Sequence, residues 1–167
     1  MHERDGRPVT LLFTDVQGST QLRARRGDRV ADEILHEHEA IVRRAIGEHG
    51  GAEAAFFGDG FLATFGTPAA GLGCAVAIQQ ALQRYGREHA DRRVRVRIGL
   101  HHGEAVERDG TLYGQAVHAA SRVMNEAVGG QILVTAAVRD AWSPPGPRSP
   151  PPPPGTGTPP SATSPPP

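Results

Sequence analysis

The amino-acid sequence predicts an α+β fold in which helices pack on one ferredoxin-like sheet. Short apolar runs alternate with segments of helical periodicity, and glycine–aspartate pairs separate neighbouring runs. The resulting order is βαββαβ with one extra hairpin. In such a sheet the first strand and the second–third hairpin can lie side by side. At 167 residues the chain is long enough to bury one hydrophobic core.

The first strand and the first helical segment follow from the spacing of apolar residues. Residues 9–15 form an apolar run that ends in polar, glycine-containing sequence, which is typical of a buried strand. Apolar residues then recur at helical spacing between Thr20 and Ile46, and Gly50-Gly51 ends the helix. The polar start of this segment predicts a break near Gly27.

A hairpin follows, because residues 52–57 and 61–65 flank Gly58-Asp59-Gly60. Two-residue hairpin loops need positive φ, which glycine adopts without steric cost. Asp59 is therefore expected at the tip of this hairpin.

The second half of the sequence predicts a helix with Pro68 in its first turn, followed by a strand at 93–100 and a hairpin at Asp109-Gly110. A helix at 115–127 and a strand at 131–135 come next. A short helical piece then reaches residue 142. The apolar face of the Pro68 helix comprises Leu72, Ala75, Val76, Ile78 or Gln79, Leu82 and Tyr85.

Strand 93–100 alternates between apolar residues and Arg93, Arg95 and Arg97. We interpret these arginines as a solvated face, with an anion site as the alternative.

The composition changes abruptly after residue 142. Proline accounts for 13 of the 25 residues in 143–167, interleaved with glycine, serine and threonine. Such a segment cannot bury a core, so the sequence predicts a domain at 1–142 and a disordered tail or linker at 143–167. The proline pattern matches SH3-type ligands only loosely, and the partner of the tail is unknown.

Charge and cysteine content exclude several classes of function. The formal net charge is zero, which argues against non-specific binding to nucleic acid or to a membrane surface. Cys74 is the single cysteine, so it is expected to be a small buried residue. No signal peptide or membrane-length apolar run is present, and we expect a cytoplasmic protein.

Asp15 and Asp59 form the first candidate site. Asp15 ends the first strand, Gly18 lets the chain turn, and Ser19 or Thr20 can cap the next helix. Paired carboxylates beside a helix N-terminus suit divalent cations and a polyphosphate, with Mg²⁺ or Mn²⁺ favoured by the hard oxygen ligands. The alternative is a helix-start residue and a turn residue with no shared role.

A second candidate pair lies on the predicted helix 115–127. His118 and Arg122 are four residues apart, so they share one face and can donate hydrogen bonds to a phosphate. That face can equally be an incidental polar surface. His101-His102 could suggest zinc, but no spacing supplies a third ligand.

Several segments together resemble class III adenylate/guanylate cyclase catalytic domains over about residues 8–138. These are Phe13–Thr20 (FTDVQGST), Phe57–Phe61 (FGDGF), Arg97–Glu104 (RIGLHHGE), Tyr113–Arg122 (YGQAVHAASR) and Gly129–Val134 (GGQILV). They stand in the order found in that family.

The resemblance implies a head-to-tail homodimer that converts ATP, or GTP, into a 3′,5′-cyclic nucleotide and pyrophosphate at the subunit interface. By it, Asp15, Asp59 and the Val16 carbonyl would bind two Mg²⁺ or Mn²⁺ ions. Backbone N–H groups of Gln17, Gly18, Ser19 and Thr20 would hold the triphosphate, and Arg122 of the partner subunit would stabilise the transition state.

This sequence departs from the family pattern at three places. Ala55 stands where the family usually has a base-selecting lysine, and Thr111 occupies the companion position. His118 stands where a transition-state asparagine is usual. The C-terminal strands that usually follow the segment 131–135 are replaced by the proline-rich tail. A catalytically weak or inactive module that binds nucleotide or a partner is therefore the alternative function, and a diguanylate cyclase fits the hairpin poorly.

Overall fold

The computed structural model describes residues 6–142, so the predicted proline-rich tail lies outside the described residues. The strands are β1 (Arg7–Val16), β2 (Ala52–Phe56), β3 (Gly60–Phe65), β4 (Val96–Arg108), β5 (Thr111–Tyr113) and β6 (Ile132–Val134). The helices are α1 (Ser19–Arg26), α2 (Asp28–Glu48), α3 (Pro68–Glu88), α4 (Gln115–Glu126) and α5 (Ala136–Ala141), with a 3₁₀ turn at Ala90–Arg92.

The six strands form the predicted sheet with β1 near its centre. β3 and β4 flank β1 in antiparallel pairing, β2 extends β3, β5 pairs with the end of β4, and β6 lies parallel to β4. The order β2-β3-β1-β4 is that of a ferredoxin-like βαββαβ sheet, so the predicted fold is confirmed. This order places the end of β1 beside the β2–β3 hairpin.

Helices cover both faces of the sheet, and alternating residues of β1 face the two layers. Leu12 and Val16 pack into the core formed with α2 and α3, whereas Leu11 and Phe13 pack beneath α4. Gly99 permits the close approach of α4, because a Cβ at this position would lie 2.2 Å from the Met124 nitrogen. The sheet therefore lies between a layer formed by α2 and α3 and a closely packed α4.

The predicted turns, the break between α1 and α2 and the start of α3 are confirmed. Gly27, with φ 77°, separates α1 from α2, and Gly58, with φ 89°, is the first central residue of the β2–β3 turn. Asp109 and Gly110 both have positive φ, as a tight hairpin between β4 and β5 requires. Thr67 caps α3 by accepting a hydrogen bond from the Ala70 N–H at 3.2 Å, and Pro68 begins the helix.

Two details of the sequence prediction are wrong. β4 begins at Val96 rather than residue 93 and runs to Arg108, because it pairs with the whole length of β1 from Val16↔Val96 to Arg7↔Ala105. Val76 is 40 % exposed, because it lies beside the stripe of α3 that packs on the sheet.

Cys74 is fully buried, as predicted, and burial raises the pKa of its thiol to about 12. Within residues 6–142, no helix combines the length and the hydropathy that a bilayer span needs.

His38 is a buried titratable group of the α2 core. It is 1 % exposed and packs against Phe61, and burial lowers its pKa to about 4, an effect that the Asp59 carboxylate opposes only in part. The folded protein therefore keeps His38 neutral at a pH where the unfolded chain protonates it.

We expect this histidine to make the protein acid-sensitive. Its contribution is fully present above pH 6.5, the ordinary histidine value, and is lost as the pH falls towards 4. Between pH 7.5 and pH 5 the loss should be about 2 kcal/mol of unfolding free energy. Urea unfolding measures it: the His38→Leu profile should be flatter by that amount, whereas exposed His36→Gln should follow the unsubstituted protein. Parallel profiles for His38→Leu and the unsubstituted protein would contradict the expectation.

Candidate active site

The end of β1 and the tip of the β2–β3 hairpin meet through the backbone. The Val16 N–H donates a hydrogen bond to the Asp59 carbonyl oxygen at 3.1 Å, and Asp15 pairs with Gly60 across the strands. Only glycine fits at position 60, because a Cβ there would lie 2.3 Å from the Thr14 carbonyl oxygen. The sheet thus brings together the two elements that carry the predicted aspartates.

The Asp15 carboxylate is held by an arginine of the neighbouring strand. Arg97 Nε and Nη2 donate to Asp15 Oδ2 at 2.9 and 2.6 Å, and both side chains are partly buried, with exposed fractions of 30 % and 22 %. The interpretation of Arg97 as part of a solvated face is therefore wrong, because β1–β4 register places it directly opposite Asp15. Sequence reasoning missed this residue as a member of the site.

The Asp59 carboxylate is held by the first residue of α1. Ser19 Oγ donates to Asp59 Oδ2 at 2.5 Å. The prediction that Ser19 or Thr20 caps the helix is wrong, because the cap residue is Gly18, in left-handed conformation, with no side-chain hydrogen bond to the helix. Within the part of the chain that the structure describes, no side chain caps α1, and uncapped first-turn N–H groups are suited to an anionic ligand.

Gln17 forms hydrogen bonds within the fold through both its backbone and its side chain. Its N–H donates to the Arg95 carbonyl oxygen at 2.8 Å, and its Oε1 accepts from the Gly129 N–H at 2.9 Å. The predicted role of the Gln17 N–H in phosphate binding needs correction for this reason. The candidate phosphate donors are then the N–H groups of Gly18, Ser19 and Thr20.

The donor set at this end of the sheet fits a hard divalent cation. Arg97 and Ser19 each donate to Oδ2 of their partner carboxylate, and no residue in 6–142 donates a hydrogen bond to Oδ1 of Asp15 or of Asp59. Carboxylate and backbone carbonyl oxygens are the ligands that Mg²⁺ and Mn²⁺ prefer. In residues 6–142 no cluster of three His, Cys, Asp or Glu side chains is present.

His118 and Arg122 lie on the exposed face of α4, whereas Ala120 and Met124 are buried. His118 borders a cavity of about 450 Å³ that Asp15, Arg97 and Phe57 also line. Arg122 lines a different cavity, of about 650 Å³, on the other side of His118. Arg122 has no hydrogen bond or ion pair within the described residues, so its guanidinium is free for a ligand.

The two predicted base-selecting positions lie on strands that approach each other. Cα atoms of β2, which carries Ala55, and of β5, which begins with Thr111, come within 8 Å. Ala55 and Leu112, the neighbour of Thr111, pack against the same apolar cluster. Ala55 presents no hydrogen-bonding side chain there, so Thr111 is the polar member of the pair.

The adjacent histidines of β4 do not form a joint site. His101 shares a hydrogen bond with Thr135 at 2.9 Å, whereas His102 shares one with Thr10 at 3.0 Å. Successive residues of a strand point to opposite faces, which explains their separate partners. Burial, with a smaller effect of His102, lowers the pKa of His101.

Comparison with known proteins assigns the chain to a family. Residues 1–146 match the adenylate and guanylate cyclase catalytic domain, and the chain belongs to this family. It is 30 % identical over 151 residues to the adenylate cyclase of Anabaena cylindrica, a match that covers 79 % of this chain and 30 % of that protein. The predicted resemblance is therefore confirmed.

Solved structures support the same assignment. The adenylate/guanylate cyclase/hydrolase from Silicibacter pomeroyi has a TM-score of 0.73 at 32 % identity, covering 81 % of this chain and 80 % of that one. The guanylyl cyclase Cya2 has a TM-score of 0.76 at 24 % identity, with 84 % and 80 % covered, and shows the shared fold. The chain spans less than half the length of the curated relatives that it matches.

Proposed function

We propose that this chain is a metal-dependent nucleotide cyclase that converts ATP, or GTP, into a 3′,5′-cyclic nucleotide and pyrophosphate. The observation that carries the proposal is the junction of Asp15 and Asp59 beside the uncapped start of α1. Membership of the cyclase family supports it. The reaction forms a bond from the ribose 3′-oxygen to the α-phosphorus and breaks the bond from that phosphorus to the bridging oxygen of pyrophosphate.

Asp15, Asp59 and the Val16 carbonyl would hold two Mg²⁺ or Mn²⁺ ions. When bound, such ions lower the pKa of the attacking hydroxyl and neutralise charge on the phosphates. The sheet orients the carboxylates: β1–β4 pairing places Arg97 against Asp15, and the first turn of α1 places Ser19 against Asp59. The first-turn N–H groups of α1 would bind phosphate oxygens, with the helix dipole favouring the negative charge.

A second copy of the chain would complete the site. Arg122 and Asp15 line different cavities of one chain, which supports a second subunit as the source of Arg122. In a homodimer, Arg122 of the partner subunit would stabilise charge on the α-phosphate, and His118 would add a hydrogen bond. Thr111 would contact the base, with Ala55 leaving the second position apolar.

A product assay tests this proposal. Purified protein with Mn²⁺ and either ATP or GTP should release cyclic nucleotide and pyrophosphate in equal amounts, and EDTA should stop the reaction. Folded dimer that yields no cyclic product with either metal and either nucleotide would overturn the proposal. Calorimetric nucleotide binding without turnover would then indicate the alternative, a non-catalytic cyclase-like module.

Arg97 should compete with a metal ion for the Asp15 carboxylate. Arg97→Gln removes the two hydrogen bonds to Oδ2 and a nearby positive charge, so Mn²⁺ should bind about tenfold more tightly in the absence of nucleotide. Mn²⁺ titration followed by electron paramagnetic resonance measures this. Arg95→Gln removes a nearby charge that makes no bond to Asp15 and should change the affinity little; equal effects of the two substitutions would contradict the account.

A further inference from the structure

A cavity rich in arginine lies at the end of the sheet that also carries the candidate metal site, between α1 and the segment 93–95. It has a volume of about 650 Å³ and is lined by four arginines and two glutamines: Arg25, Arg26, Arg93, Arg95, Gln17 and Gln21. We call it the arginine cleft. Asp15, Asp59 and Arg97 do not line it, although it borders the candidate metal site at the Val16–Gly18 turn.

The arginine cleft carries uncompensated positive charge. Of the described residues that line it, none is acidic. Arg26 is paired with Asp91: it donates to the Asp91 carbonyl oxygen at 3.0 Å and lies 3.5 Å from the Asp91 carboxylate, whereas Arg93 donates only to the Gly86 carbonyl oxygen at 3.3 Å. Arg25 and Arg95 have no side-chain hydrogen bond or ion pair with any residue in 6–142. Two guanidinium groups from separate elements therefore face one cavity without a partner.

The basic surface continues beyond this cavity. A neighbouring cavity of about 570 Å³ shares Arg93, Val94 and Arg95 and adds Arg87, again with no acidic residue among its described lining. The chain as a whole has equal numbers of basic and acidic residues. The two cavities thus hold five arginines and no acidic residue among their described lining, whereas Arg29 and Arg43 of α2 are paired with glutamates.

We propose that the arginine cleft binds a condensed phosphate, the diphosphate or triphosphate group of an inorganic or nucleotide ligand, without the help of a metal ion. Guanidinium groups bind phosphate oxygens bidentately and are weakly hydrated, which suits them to this ligand. Four arginines around one cavity match several linked phosphates better than one isolated phosphate. No aromatic residue lines the cleft within the described part of the chain, so recognition rests on the phosphates rather than on a stacked base.

The position of the cleft suggests a connection with the metal site. Its wall includes Val16, Gln17 and Gly18, the turn that leads from β1 into α1. A phosphate chain in the cleft would contact this turn, in which Val16 follows Asp15 and donates its N–H to the Asp59 carbonyl oxygen. The binding itself is independent of the proposed cyclase reaction and is tested separately.

Calorimetry with tripolyphosphate in EDTA tests the proposal on the full chain. Arg25→Gln/Arg95→Gln should weaken binding about tenfold or more, because each substitution removes a charge-assisted hydrogen bond. Arg44→Gln/Arg84→Gln is the matched control, since it removes two exposed charges outside the cleft and should have an effect of less than about twofold. Circular dichroism confirms that each variant is folded.

Arg97→Gln separates the cleft from the metal site. The proposal requires tripolyphosphate binding to survive Arg97→Gln; loss in that variant, with binding retained in Arg25→Gln/Arg95→Gln, would overturn it. No binding to the unsubstituted protein, or equal losses in the cleft and control variants, would also overturn it. Displacement of tripolyphosphate by ATP would identify a nucleotide as the ligand, and its absence an inorganic condensed phosphate, both in support of the proposal.

Discussion

Asp59→Asn is expected to abolish cyclic-nucleotide formation while leaving the fold intact, and Asp15→Asn is expected to do the same. An amide oxygen keeps the shape of the side chain but loses the negative charge that a divalent cation needs. Because metal ions contribute several kcal/mol of transition-state stabilisation, the rate should fall about a thousandfold or more. The assay is initial-rate product formation with saturating Mn²⁺.

The structure provides reasons to expect folded variants. In Asp59→Asn the amide oxygen can still accept the hydrogen bond from Ser19, so the variant keeps the contact that now measures 2.5 Å. Asp109→Asn is the matched control, because Asp109 also lies in a hairpin turn but has no place in the candidate site. That variant should retain full activity. Turnover in either site variant within about tenfold of the unsubstituted rate would contradict the assignment of both carboxylates.

Arg122→Ala should also be inactive, and mixing it with Asp15→Asn should restore activity. Each variant lacks one half of the proposed shared site, so a mixed dimer contains one intact site and one doubly impaired site. Random pairing of equal amounts yields half mixed dimers, which predicts about a quarter of the unsubstituted activity. The measurement is the rate of product formation after mixing and subunit exchange.

An exposed arginine outside the candidate site provides the control for the mixing experiment. Arg44→Ala removes an exposed arginine of α2 and should leave the rate unchanged. An equal mixture of Arg44→Ala and Arg122→Ala should reach about half of the unsubstituted rate, because half of all sites then receive an intact Arg122. If Asp15→Asn and Arg122→Ala exchange subunits and stay inactive together, the two residues do not serve one shared site.

Local chemistry explains why much of the fold could be predicted. Gly27, Gly58 and the Asp109-Gly110 pair impose turns through their own backbone preferences, and each lies where the sequence placed it. The position of Asp59 at a hairpin tip beside β1 follows from those turns together with the strand order. The proximity of the end of β1 and the β2–β3 hairpin could therefore be predicted from the sequence.

Contacts that depend on strand register could not be predicted in the same way. The pair Asp15–Arg97 joins residues 82 positions apart and exists because β1 and β4 pair in one particular register. From alternation alone, Arg97 resembles Arg93 and Arg95, which do not contact Asp15. The role of Ser19 was missed for a related reason: a serine at a helix start suggests a cap, and only the position of the hairpin shows that its hydroxyl donates to Asp59.

The central claim is that Asp15 and Asp59 converge on shared metal ions, and anomalous diffraction from crystals grown with Mn²⁺ and 3′-deoxy-ATP tests it most directly. The account predicts manganese peaks ligated by both carboxylates at the junction of β1 and the β2–β3 hairpin. Peaks elsewhere, or nucleotide bound with neither carboxylate in contact with manganese, would contradict it.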